Sequence, residues 1–170
     1  NKYFISRKSY SMDKEDLNII NYFKDKKNGF YIDVGCFHPL DRNNTYLLYK
    51  KNWRGINIDV SKFSIDLFNF LRPEDINVNV GISNKNSKIK VYYQKELSQL
   101  TTTVKDHADK FFQGNIKEKI IESKTLNSLL DDTKYKNKKI DFLNIDAEGA
   151  DLDVLNSLNF EIYRPELICI

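Results

Sequence analysis

Three acidic residues stand at or near the ends of apolar, β-branched segments of the chain. Asp33 lies in FYIDV, Asp59 in RGINIDV and Asp146 at the end of KIDFLNID. A carboxylate buried in a strand is costly unless it is paired, so acids at strand ends are expected to face a polar crevice. In parallel sheets the carboxyl ends of the strands share one edge, where ligands bind. The alternative is that each acid caps the following helix.

The loop after the first of these acids narrows the class of ligand. Gly35 lacks a Cβ, which lets the backbone approach a ligand closely. Asp59 follows Gly35 by roughly the 20-residue spacing at which an acid accepts hydrogen bonds from ribose hydroxyls. The dinucleotide fingerprint GxGxxG is absent, because CFHP follows Gly35. The pattern favours a ligand with one ribose and no phosphate, and S-adenosylmethionine is the main candidate.

Alternating strand and helix patterns predict how these residues are positioned. Apolar runs predict strands at 30–34, 54–60, 76–82, 139–146 and 166–170, and periodic segments predict helices at 12–27, 44–51, 61–71 and 150–158. This order predicts an α/β fold with a doubly wound, mostly parallel sheet and helices on both faces. Further strands are expected at 88–94 and 117–123 and a short helix at 125–130, with a polar surface excursion at 97–114.

The chain is expected to divide into an N-terminal arm and helix, residues 1–28, and a Rossmann-like domain, residues 29–170. It stops at the fifth core strand, so we expect it to be truncated there.

Composition excludes several classes of partner. The formal net charge is +3 and the basic residues are dispersed, so no nucleic-acid partner is expected. No apolar stretch approaches the roughly 18 residues of a membrane span, so no membrane insertion is expected. Two cysteines, Cys36 and Cys169, are too few for a disulfide framework, which indicates a reduced, cytoplasmic setting. The oligomeric state is left open.

Two blocks of the sequence together resemble a known family. DVGCFHPLDRNNTYLLYKKNWRGINIDV and IDFLNIDAEGADLDVLNSLNF resemble the FkbM-type S-adenosylmethionine-dependent methyltransferases. The resemblance implies a class I methyltransferase fold, S-adenosylmethionine as cofactor, and O-methylation of a sugar, glycan precursor or related small molecule. The turn after Gly35 departs from the usual DxGxxxG pattern, since His38-Pro39 stands there.

The resemblance also implies roles for individual residues. Its first block implies that the cofactor's methionine part is bordered by Asp33, Gly35 and Cys36, its ribose by Asp59, and its adenine by Val60. Gly81 and Ile82, after the third predicted strand, are also implied near the adenine. Asp146 is implied near the methionine amino group or the reacting centre. Asn44 and Thr45 have two open interpretations, binding the cofactor carboxylate at a helix start or capping that helix.

Proton transfer from the acceptor has three candidate residues. His38 is either a general base or an organiser of its loop. Asp146 and Glu148 are alternatives as base or substrate anchor. No metal is expected, since no third ligand accompanies these two acids. His107, in the polar excursion, is interpreted as a surface residue.

Two other function classes stay open. One is a nicotinamide-dependent oxidoreductase on the same broad fold, which the missing GxGxxG disfavours. The other is a non-catalytic binding module with a methyltransferase-like fold.

Overall fold

The computed structural model describes residues 7–170, so the first six residues of the predicted N-terminal arm lie outside the described part. The elements in chain order are α1 Glu15–Tyr22, β1 Phe30–Val34, α2 Tyr46–Lys50, β2 Arg54–Asp59, α3 Lys62–Leu71, β3 Ile76–Asn79, β4 Gly81–Ile82, β5 Ser87–Tyr93, α4 Lys105–Phe111, β6 Lys117–Lys124, α5 Leu126–Asp131, β7 Phe142–Ile145, α6 Asp151–Asn156 and β8 Leu167–Cys169.

Five parallel strands form the main sheet in the order β3-β2-β1-β7-β8. The predicted α/β fold with a mostly parallel sheet is therefore confirmed. Ile32 of the central strand β1 pairs with Ile56 of β2 on one side and with Leu143 of β7 on the other. The chain changes direction across the sheet between β1 and β7, which is the point where such sheets place a ligand.

Both faces of the main sheet are covered. Ile32 and Val34 lie in one core cluster with side chains from α5 and α6, such as Leu126 and Val154. Tyr31 lies on the other face, in a cluster with α1 and α2. This double coverage explains the continuous apolar runs of the strands, since neither face is open to water.

The predicted strand at 76–82 is two strands in different sheets. β3 ends at Asn79 in the main sheet, and β4 begins at Gly81 and pairs with β6 of a second sheet, ordered β4-β6-β5. Val80 at the break stays buried, so the apolar pattern continues across it. A Cβ at Gly81 would lie 2.3 Å from the Ile89 side chain, so the glycine lets β5 pack closely here.

The polar excursion contains an unpredicted helix, α4. Ala108 of α4 and Phe112 pack against Tyr92 of β5, and Thr102 forms a two-way backbone bridge with Tyr92. The segment from residue 94 to 104, which we call the strap, is thereby fixed over the edge of the main sheet. Within residues 7–170, no helix is long and apolar enough to cross a membrane.

Candidate functional site

A pocket of about 590 Å³, its mouth included, lies at the carboxyl edge of the main sheet. Its floor and sides come from the ends of β1, β2 and β7, the β3–β4 segment and α6, and the strap covers it. Its lining includes Val34, Gly35, Phe37, Ile58, Asp59, Val60, Val80, Ile82, Ser98, Gln99, Thr101, Thr103, Asp146 and Ala147.

Asp59 lines the pocket and also holds two backbone segments. Its Oδ2 accepts a hydrogen bond from the Phe37 N–H at 2.9 Å, and its Oδ1 accepts one from the Ser61 N–H at 2.7 Å. Burial raises the pKa of Asp59 to about 6, although both donors oppose the shift. The sequence left two roles open for this acid, facing a ligand crevice or capping the next helix. In the structure, Asp59 organises the loop after β1 and the start of α3 and also faces the pocket.

Gly35 is required by the protein's own backbone. Its φ is +76°, and a Cβ built on it would lie 1.9 Å from the carbonyl oxygen of Asp146. Its N–H donates to the Ile58 carbonyl at 2.9 Å. Gly35 lines the pocket. From the sequence we expected a ligand to occupy the space left by its missing Cβ, but the end of β7 fills that space.

Asp33 lies on the face of β1 opposite to Ile32 and Val34, in a buried polar network. Its carboxylate accepts hydrogen bonds from Asn144 at 2.9 Å, from Thr45 at 2.8 Å and from Asn43. The buried guanidinium of Arg72 donates to Thr45 Oγ1 at 2.8 Å. Burial raises the pKa of Asp33, while these donors stabilise its charged form. This placement corrects the expectation that Asp33 and Thr45 border the cofactor, because the network occupies their polar atoms and neither lines the pocket.

Three other predicted cofactor residues also lie outside the pocket lining. The Cys36 side chain packs with Ile65 and Phe68 of α3, and burial raises the pKa of its thiol well above the ordinary value. Asn44 donates to the side-chain oxygen of Asn144 at 2.9 Å, and Gly81 is covered by Ile89. Of the residues assigned to the adenine side, Val60 and Ile82 do line the pocket.

His38 holds its own loop. Its Nδ1 accepts hydrogen bonds from the Leu40 N–H at 3.1 Å and the Asp41 N–H at 3.0 Å. Burial lowers the pKa of His38, and the residue is absent from the pocket lining. A ring nitrogen that already accepts two backbone N–H groups is poorly placed to take a proton from an acceptor. The geometry favours the loop-organiser interpretation over the general base.

The turn from β7 to α6 carries two further acids, of which Asp146 lines the pocket and Glu148, two residues on, does not. Asp146 lines the pocket, and its N–H donates to the Val34 carbonyl at 2.9 Å. Glu148 has φ +48° and Gly149 φ +93°, while the Asp151 carboxylate accepts the Ala147 N–H at 2.7 Å. Burial, with smaller contributions from Asp146 and Asp151, raises the pKa of Glu148 to about 7. The turn thus carries a carboxyl group that titrates near neutral pH.

His107, interpreted from sequence as a surface residue, is partly exposed and contacts the β7–α6 turn. Its side chain is 19% exposed, and its Nε2 lies 3.4 Å from Glu148 Oε2. A Cβ at Gly149 would lie 3.2 Å from the ring, so the absence of a side chain there makes room for the imidazole. No local pattern signals this contact, because α4 and the turn are far apart in sequence.

The strap contributes the other pocket residues that sequence reasoning missed. Ser98, Gln99, Thr101 and Thr103 line the pocket from this segment. Ser61 Oγ donates to the Glu96 carbonyl at 2.5 Å, which ties the strap to the start of α3. The Thr-rich composition of residues 101–103 is the one sequence signal that points to this segment.

Taken together, the parallel sheet and its pocket define an α/β, Rossmann-like protein with a pocket at the point where the strand order reverses. The sequence profile described as the methyltransferase FkbM domain matches residues 31–170. The chain therefore belongs to the FkbM methyltransferase family. No curated protein and no solved structure matches it.

Proposed function

We propose that this protein is an S-adenosylmethionine-dependent O-methyltransferase that methylates a hydroxyl of a sugar, glycan precursor or related small molecule. The observation that carries the proposal is the position of Asp59 in the pocket, between the loop after β1 and the apolar side chains of Val80 and Ile82. Each oxygen of its carboxylate accepts one backbone N–H, so a lone pair remains on each.

The pocket chemistry fits S-adenosylmethionine, which carries one ribose, a purine, a sulfonium and an amino acid group. The free lone pairs of Asp59 suit the two ribose hydroxyls, and Val60 and Ile82 suit the purine. Asp146 suits the ammonium group. The described lining residues include acids but no lysine or arginine, which favours a cationic ligand over a pyrophosphate.

When bound, S-adenosylmethionine would supply a methyl group activated by its sulfonium and would leave as the neutral thioether. The protein has to orient the acceptor and receive its proton. Glu148 is the candidate base, because a carboxylate with a pKa of about 7 is matched to proton transfer near neutral pH. The hydroxyl proton then resides on a Glu148 carboxylate oxygen.

The carbohydrate class of acceptor rests on the family resemblance. The proposed test incubates the protein with methyl-labelled S-adenosylmethionine and a library of sugars, sugar nucleotides and glycan precursors. We expect an O-methylated product from at least one of them. We also expect Glu148→Gln to lower turnover by about 10²-fold, the usual contribution of a general base, while cofactor affinity is kept.

Two outcomes would contradict the proposal. Cofactor binding without transfer to any acceptor in the library would favour a non-catalytic binding module. Hydride transfer with a nicotinamide dinucleotide would favour an oxidoreductase.

A further inference from the structure

Two residues from outside the β7–α6 turn hold Glu148. The hydroxyl of Thr102, in the strap, donates a hydrogen bond to the Glu148 carbonyl at 2.6 Å. His107 of α4 places Nε2 3.4 Å from the Glu148 carboxylate. The strap and α4 thus contact both the backbone and the side chain of the same acid.

The His107 ring has a fixed place of its own. It packs against Phe111 one helical turn away, with ring centroids 4.5 Å apart, and against the α-carbon of Gly149. Ala108 and Phe112 anchor the helix to the second sheet through Tyr92. The imidazole is therefore presented to Glu148 by a packed element.

The charged groups around Glu148 are otherwise acidic. Asp146 at the end of β7 and Asp151 in α6 both raise the pKa of Glu148. In the described part of the chain, His107 is the only basic side chain within 4.0 Å of the Glu148 carboxylate. If a basic side chain orients the Glu148 carboxylate, that side chain is therefore His107.

We propose that His107 is a positioning residue for methyl transfer, which orients Glu148 and covers it from water. The role of Glu148 in this inference rests on the proposed function. A free glutamate side chain samples many rotamers, and a ring packed against its carboxylate both removes that freedom and excludes solvent.

The first test needs neither cofactor nor acceptor. The carboxyl carbon of Glu148, labelled with ¹³C and assigned with Glu148→Gln, is titrated by NMR in the free protein. We expect a midpoint near pH 7 in the wild type and a fall of at least about one pH unit in His107→Ala, because the carboxyl group becomes solvated. His107→Gln, which keeps an N–H donor, should retain most of the midpoint, and Asp106→Asn, an exposed change on the same helix, should retain all of it.

The second test follows turnover. His107→Ala should lower kcat by about tenfold with the KM for S-adenosylmethionine unchanged, and His107→Gln should recover part of the loss. An unchanged Glu148 midpoint in folded His107→Ala overturns the inference. A shifted midpoint in a protein that transfers no methyl group leaves the positioning contact standing and counts against the proposed function instead.

Discussion

The α-carbon of Gly35 faces the carbonyl oxygen of Asp146 so closely that a Cβ on Gly35 would lie 1.9 Å from that oxygen. The Asp146 N–H in turn donates to the Val34 carbonyl at 2.9 Å. These contacts join the ends of β1 and β7, the two strands between which the chain reverses its order in the sheet. The shape of the pocket floor therefore depends on the glycine.

Gly35→Ala should be strongly destabilising, and Gly114→Ala provides a matched control. Both glycines have positive φ, +76° and +88°, but a Cβ at Gly114 meets nothing within 4 Å. Gly114→Ala should cost about 1 kcal/mol for its backbone conformation alone. Gly35→Ala should cost at least about 2 kcal/mol more, since the strand ends must separate. Equal losses in urea unfolding would show that the contact with Asp146 does not constrain the fold.

Asp33→Asn separates structural stability from cofactor binding. The change removes a charged acceptor of three buried hydrogen bonds, so we expect a loss of about 1–3 kcal/mol in unfolding free energy. Affinity for S-adenosylmethionine, measured by calorimetry on the folded variant, should stay within about threefold of the wild type. A tenfold loss of affinity without a loss of stability would return Asp33 to the cofactor site.

Substitutions of His38 distinguish a loop organiser from a base. His38→Ala leaves the N–H groups of Leu40 and Asp41 without their acceptor and should cost about 1–2 kcal/mol of stability. His38→Asn offers a replacement oxygen acceptor but no proton acceptor near neutral pH. We expect it to keep most of the stability and turnover. A loss of turnover of about 10²-fold in His38→Asn would make the general-base role the better account.

The raised pKa of Glu148 predicts how stability depends on pH. Because the pKa rises on folding from 4.5 to about 7, the folded protein binds more protons than the unfolded chain in that interval. The stabilisation from this group is complete below pH 4.5 and is lost as the pH rises through about 7. After allowance for partial exposure of the side chain, the loss amounts to about 1–2 kcal/mol.

Glu148→Gln removes that pH dependence. The difference in unfolding free energy between wild type and variant should change by about 1–2 kcal/mol from pH 4.5 to pH 8, in favour of the variant at high pH. Glu161→Gln, on an exposed residue, serves as the control. Parallel curves for wild type and Glu148→Gln would mean that Glu148 titrates near its ordinary pKa.

The sequence predicted the parallel sheet better than it predicted where the acidic side chains lie. Apolar runs and their helical connections predicted the parallel sheet. The spacing from Gly35 drew attention to Asp59, which lines the pocket, and its binding to a ribose stays a prediction. The sequence could not predict which face of the sheet carries the Asp33 side chain. Both faces of β1 are buried, so its residues show no alternation that assigns a side chain to one face.

The remaining differences come from contacts between distant segments. The break between β3 and β4 was hidden because Val80 continues the apolar run while the chain changes sheets. The short helix α4 carries mostly charged residues and a narrow buried face, centred on Ala108. The contact of His107 with Glu148 depends on how α4 docks, which no local spacing encodes.

Isothermal titration calorimetry of S-adenosylmethionine binding at pH 7.5, in wild type and Asp59→Asn, tests the central claim most directly. Asp59→Asn keeps one side-chain oxygen for the N–H groups of Phe37 and Ser61, and circular dichroism checks its fold. We expect the wild type to bind S-adenosylmethionine at one site and the variant to bind it at least about tenfold more weakly. We expect no binding of NADH. Equal affinity in wild type and folded Asp59→Asn, or no binding of S-adenosylmethionine by the wild type, would contradict the central claim.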